Sequence, residues 1–187
     1  IKAGGEALVL KTTEDGFSCL HVACQEGHLE IVMALIKAGG DALLLKTKNN
    51  GASCLYIACV QGHFGIAKAL IQAGGEALLF RTQKDGISCL SIACAQGHLE
   101  VVKALVEAGG DALLLRADSV HGNSCLHAAC CCGHVPIVDY LLSLPSRASL
   151  VGLRDRFGRT PLELAVAKGQ AGTAQAMRAA FSRCGVC

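Results

Sequence analysis

Twelve cysteines and seven histidines in 187 residues are the side chains of this chain best equipped for chemistry, as thiolate nucleophiles, proton carriers or metal ligands. Cys19 with His21, and Cys125 with His127, set a thiol two residues from an imidazole. Cys130-Cys131-Cys132-Gly133-His134 concentrates four potential soft-metal ligands. Cys184-Gly185-Val186-Cys187 has the spacing that lets two thiolates reach one zinc ion around a tight turn. His28, His63, His98 and His134 each follow a glycine.

Geometry argues against most of these as reactive sites. Side chains two apart on a helix point in different directions, so neither Cys-x-His pair forms a good thiol and base. Three consecutive cysteines are scattered around a helix axis, which suits a reactive surface thiol at Cys131 or Cys132 better than a tetrahedral zinc site. A closed zinc site needs a second ligand pair beside Cys184 and Cys187. The expectation is a chain with no catalytic residue and no cofactor of its own, zinc entering only if further ligands follow Cys187.

The elements carrying these residues repeat. Gly4-Gly5, Gly39-Gly40, Gly74-Gly75 and Gly109-Gly110 are 35 residues apart, and Asp15-Gly16, Asn50-Gly51, Asp85-Gly86, His121-Gly122 and Phe157-Gly158 keep the same phase until two loops gain one residue each. Cys19, Cys54, Cys89 and Cys125 share one position of the unit, and Cys24, Cys59, Cys94 and Cys130 share another. Within a unit, Ser18 caps a short helix with apolar residues at helical spacing up to Gly27. A second helix restarts at His28 and ends at Gly39-Gly40, antiparallel to the first. Tyr56 and Ser91 replace histidine in units two and three, so the Cys-x-His pairs are not a constant of the repeat.

This pattern divides the chain into a remnant of a preceding unit (1–5), repeats at 6–40, 41–75, 76–110 and 111–146, a C-terminal cap at 147–183 and a tail at 184–187. The remnant makes the chain look like a fragment. No single helix pair buries its own apolar stripe, so the units must stack.

Gly158-Arg159-Thr160-Pro161-Leu162-Glu163-Leu164-Ala165 and the recurrent Gly-His resemble the ankyrin family, whose units carry Thr-Pro-Leu-His-x-Ala-Ala and then Gly-His before a Leu-rich helix. Earlier units write Ser-Cys-Leu for Thr-Pro-Leu, and Glu163 stands where the family has His. The resemblance covers nearly the whole chain. It implies an all-α fold, a solenoid of stacked antiparallel helix pairs joined by loops. At 35 residues the unit exceeds the common length by two, which places an extra helical turn between units instead of a simple hairpin. The Ala-rich second helix of the last unit suits an outer cap. The Cys184-x-x-Cys187 tail looks like the first knuckle of a RING-type or MYND-type module, making the chain the recognition part of a zinc-dependent regulator or ubiquitin-transfer enzyme. It reads equally as two incidental cysteines.

A net charge of +2 lacks the basic concentration of a nucleic-acid binder, and no apolar run is long enough to span a bilayer. Equivalent cysteines in stacked units lie beyond about 7 Å, too far for bridging along either column, so reduced thiols and a cytosolic or nuclear setting are expected. Two columns of opposite charge, Glu6, Asp41, Glu76 and Asp111 against Lys11, Lys46, Arg81 and Arg116, are expected to pair.

The resemblance further implies a protein partner, held by a monomer through the loop tips and the concave face of the first helices. Alignment puts Phe17, Ala52, Ile87, Asn123 and Arg159 in one exposed column. Gln25 and Glu26, Val60 and Gln61, Ala95 and Gln96, and Cys131 and Cys132 form a second. Phe17 and Ile87 are the expected apolar anchors.

Overall fold

The computed structural model describes residues 8–183. Helices come in pairs: α1 (Cys19–Glu26) and α2 (Leu29–Leu44), α3 (Cys54–Gln61) and α4 (Phe64–Leu79), α5 (Cys89–Gln96) and α6 (Leu99–Leu114), and α7 (Cys125–Cys132) and α8 (Val135–Ser143). A short α9 (Arg147–Gly152) precedes the last pair, α10 (Pro161–Ala167) and α11 (Ala171–Arg183). The chain is all-α, as expected. First helices pack on first helices, in the order α1, α3, α5, α7, α10, and second helices on second helices, in the order α2, α4, α6, α8, α11.

Each short helix is defined by its ends. Ser18, Ser53, Ser88, Ser124 and Thr160 take extended backbone and accept an N–H bond from the third helical residue. In α1 and α7 the box closes with an imidazole, since Nδ1 of His21 and of His127 lies 3.2 Å from the backbone nitrogen of its capping serine. Gly27, Gly62, Gly97 and Gly133 end the first helices in the left-handed conformation.

The double glycine has two separate causes. A Cβ on Gly39 would lie 2.5 Å from the Leu43 Cβ, whereas Gly40 meets nothing but adopts φ 51°, ψ −152°, the mirror image of an extended backbone and open in practice to glycine. The non-helical backbone at Gly40 breaks α2 into two helical stretches, as the double glycine leads one to expect. Residues 41–44 add a helical turn before the chain turns back, and the same occurs at Gly75 and Gly110. The connection is therefore a helical turn and also a tight hairpin, because isolated bridges join Thr47 to Ser53 and Thr82 to Ser88 across its neck.

The loop tips form a ladder. Asn49 N–H donates to Asp15 O at 3.0 Å, Lys84 to Asn50 O at 3.0 Å, Ser119 to Asp85 O at 3.0 Å and Arg156 to His121 O at 2.8 Å, one bond per junction. The expected charge pairing between columns is absent among the described residues. Asp41 opens the added helical turn and Lys46 follows its end, so the two flank its opposite poles. Arg116 instead donates to Phe80 O at 2.8 Å, and Ser146 donates to Asp111.

Leu20, Leu55, Leu90 and Leu126 from the first helices, with Leu70, Leu105 and Leu141 from the second, fill the space between the two layers and are fully buried. In α11 only Thr173, Ala174 and Met177 are buried among the side chains described, which fits an outer helix with one neighbour.

Candidate functional site

The histidine column is part of the spine. Nε2–H of His63 donates to Gln25 O at 3.2 Å, that of His98 to Val60 O at 3.0 Å and that of His134 to Ala95 O at 2.9 Å. Each ring lies over the glycine of the preceding unit: a Cβ on Gly62 would sit 2.4 Å from Nδ1 of His98. In the last unit Gln170 takes this place against Gly133. These residues carry hydrogen bonds between units, which satisfies carbonyls left open at helix ends.

The thiol and imidazole pairs do not assemble. Cys125 Sγ donates to Leu114 O at 3.3 Å and Cys19 Sγ to Val9 O at 3.4 Å, while Nδ1 of His127 and of His21 turns to the capping serine. Burial holds both imidazoles below the ordinary pKa, against the raising effect of the Ala52 and Arg159 backbones. Nε2 of His127 bonds to Arg159 O at 3.0 Å, whereas the buried Nε2 of His21 has no hydrogen-bond partner among the described residues. Cys131 is half-buried and Cys132 exposed. No group of three or more His, Cys, Asp or Glu among the described residues is placed to hold a metal ion, and Cys184 and Cys187 lie outside those residues.

The expected loop column is less open than alignment implied. Ala52 is 2% exposed, a correction with a simple cause: a single methyl group does not reach past its neighbours. Phe17, Ile87, Asn123 and Arg159 are half-buried. Phe17 lies under the Lys48 ammonium, 3.9 Å from its ring centre, and its ring stands nearly perpendicular to that of His21, so it is not an open anchor. Arg159 is held by Asp155 at 2.8 Å and rests over the Phe157 ring. In the second column Gln25, Glu26, Gln61 and Gln96 are exposed, and Val60 and Ala95 half-buried.

Three residues of these columns do converge. Ile87, Ala95 and Asn123 line a groove of about 240 Å³ between the third and fourth units, floored further by Ile92, Ala128 and Val120. Val120 is 41% exposed. Asp85, Asp118 and His121 form its polar side. The Asp118 carboxylate accepts from the N–H groups of Val120, His121 and Asn123 at 3.0, 2.5 and 3.0 Å and thereby shapes the loop. Oδ1 of Asn123 is buried and has no partner among the described residues. Alignment missed Val120 and His121, although the one-residue lengthening of this loop was a visible signal.

A larger depression, about 470 Å³, lies on the second-helix side between Phe64, Lys68, Ile71, Glu100, Lys103 and Glu107. There Lys103 is already bound to Glu100 at 2.8 Å. The first-helix groove has the better features for recognition, an apolar floor with an unsatisfied acceptor.

No helix among the described residues is long and apolar enough to cross a membrane. A family model described as ankyrin repeats, in three copies, matches residues 3–81 and 90–181. No curated protein matches the chain.

Proposed function

Because this chain belongs to the ankyrin-repeat family, whose repeats are generally protein–protein interaction modules and typically not enzymes, we propose that it acts as a monomeric scaffold holding another protein in the groove between its third and fourth units. The observation that carries this reading is the conjunction of Ile87, Ile92 and Val120 with the Asp85 and Asp118 carboxylates and the unpartnered Asn123 Oδ1. Such a site suits a segment with an aliphatic side chain for the floor, an adjacent lysine or arginine for the acidic side and an N–H donor for Asn123. Cytosol or nucleus is the proposed setting, and no cofactor enters the reading.

Affinity capture with the unaltered chain and with an Ile87→Glu, Val120→Glu variant tests it. Captured partner should fall at least tenfold in the variant, while Phe17→Glu, altered far along the stack, should retain most of it. Rising salt should weaken capture, since the acidic side is solvent-facing. Unchanged capture by an Ile87→Glu, Val120→Glu chain whose circular dichroism is intact would rule the groove out.

A further inference from the structure

The two ends of the stack carry complementary halves of one junction. Where a unit meets the one before it, it contributes the aliphatic side chain three places after its Gly-His histidine, the imidazole itself and a loop-tip N–H. Ile66, Val101 and Ile137 hold the first of these places and are at most 2% exposed. In the first unit all three groups stand free. Ile31 is 50% exposed, and neither the exposed His28 ring nor the Glu14 N–H has a partner among the described residues. Val22 and Cys19 are exposed beside them, whereas Ile57, Cys54, Cys89 and Cys125 are buried.

The last unit holds the other half. Cys24, Cys59, Cys94 and Cys130, each six residues after its capping serine and each followed by another unit, have no exposed surface. Val166 holds that place in the fifth unit and is 52% exposed. Gly169 keeps the left-handed turn, φ 70°, over which a side chain of the next unit lies at earlier junctions, yet a Cβ there would meet nothing within 4 Å. The free space is a hollow of about 220 Å³ lined by Val166, Gly169, Ala174 and Arg178. Gly158 is likewise open, where Gly16, Gly51, Gly86 and Gly122 face the following loop tip. Charge is complementary too. Ile71 and Glu100 line one depression across an internal junction, and their equivalents at the two ends are Arg178 and Glu30, both exposed.

We infer that the C-terminal face of one copy stacks on the N-terminal face of a second copy, repeating the internal junction between chains at raised concentration. Val166, Val22 and Ile31 then leave water together. The His28 imidazole enters the hollow over Gly169, with the Ala167 carbonyl standing where Gln25, Val60 and Ala95 accept from His63, His98 and His134. Glu14 N–H takes the Phe157 carbonyl, and the Arg178–Glu30 pair sets the register. Such a contact joins unlike faces, so one copy adds to the next without closing. The groove between the third and fourth units lies away from both ends and stays open in every copy.

The experiment is sedimentation velocity of the whole chain from micromolar to millimolar concentration, with reductant present to keep Cys19 and Cys132 from linking chains. Mass should grow with concentration, past the dimer. Ile31→Glu and Val166→Glu each change an exposed side chain, so circular dichroism should stay intact, and each should weaken self-association by about tenfold or more. Mixed in equal amounts, the two variants retain one sound face apiece and should form pairs that grow no further. A chain that is monomeric at every concentration overturns the inference. A Val166→Glu chain that dimerises undiminished does so as well, since two N-terminal faces would then be meeting, and so does an undiminished Ile31→Glu chain.

Discussion

Units one and two share 20 of their 35 residues, yet equivalent residues lie in different environments. Val22 is 49% exposed where Ile57 is 8%, and Ile31 is 50% exposed where Ile66 is 2%. The second unit is flanked on both sides by helix pairs of the described chain, and α2 supplies the cover for Ile66 that Ile31 lacks. The hydrophobic core of a unit is thus partly a property of its neighbour, whereas caps and kinks are its own. A stack of this kind has stability terms of two sorts, those within a unit and those between units.

The comparison is broken most severely by truncating the buried copy. Ile66→Ala should lose about 2–5 kcal/mol in urea unfolding, while Ile31→Ala should stay within about 0.5 kcal/mol. Equal losses would mean that the two environments do not differ energetically. A local term behaves in the opposite way. A Cβ on Gly39 or on Gly74 meets the leucine four residues on at the same 2.5 Å, so both alanine variants should lose about 1–3 kcal/mol, and equally.

Between these lies the hydrogen bond from one unit to the next. His98→Ala removes the bond to Val60 O and should lose about 1 kcal/mol. His28→Ala, whose ring is exposed and makes no such bond among the described residues, should change thermal unfolding far less.

Smallest near neutral pH is the effect of the capping imidazoles. Burial lowers the pKa of His21 and His127 in the folded chain, so the folded state binds fewer protons than the unfolded state once pH falls below the ordinary 6.5. Stability present in full above that value should decline as pH drops toward the lowered folded values. Urea midpoints from pH 7.5 to 5 should show the decline, and a His21→Gln, His127→Gln chain should show a flatter one. Tyr56 and Ser91 mean that units two and three add no histidine at this position to the slope.

Period, helix pairing and the role of Gly-His were readable from the sequence because each depends on residue type at a fixed offset within a unit. Ala52 was misjudged because exposure depends on side-chain length as well as position, and a methyl group there stays beneath its surroundings. The groove was half readable, through Ile87, Ala95 and Asn123, while Val120 and His121 enter it only through the conformation of the longer loop.

That longer loop bears on how such a chain can diversify. In the second unit the tip closes from Gly51 N–H to Lys48 O at 2.8 Å, and in the fourth from Gly122 N–H to Asp118 O at 3.2 Å, one residue wider. The rung to the following unit, Arg156 to His121, survives the change. An inserted residue is accommodated at the fringe without being transmitted to the spine. Loop tips can therefore drift in length and chemistry independently of one another, while the helices beneath them stay in step.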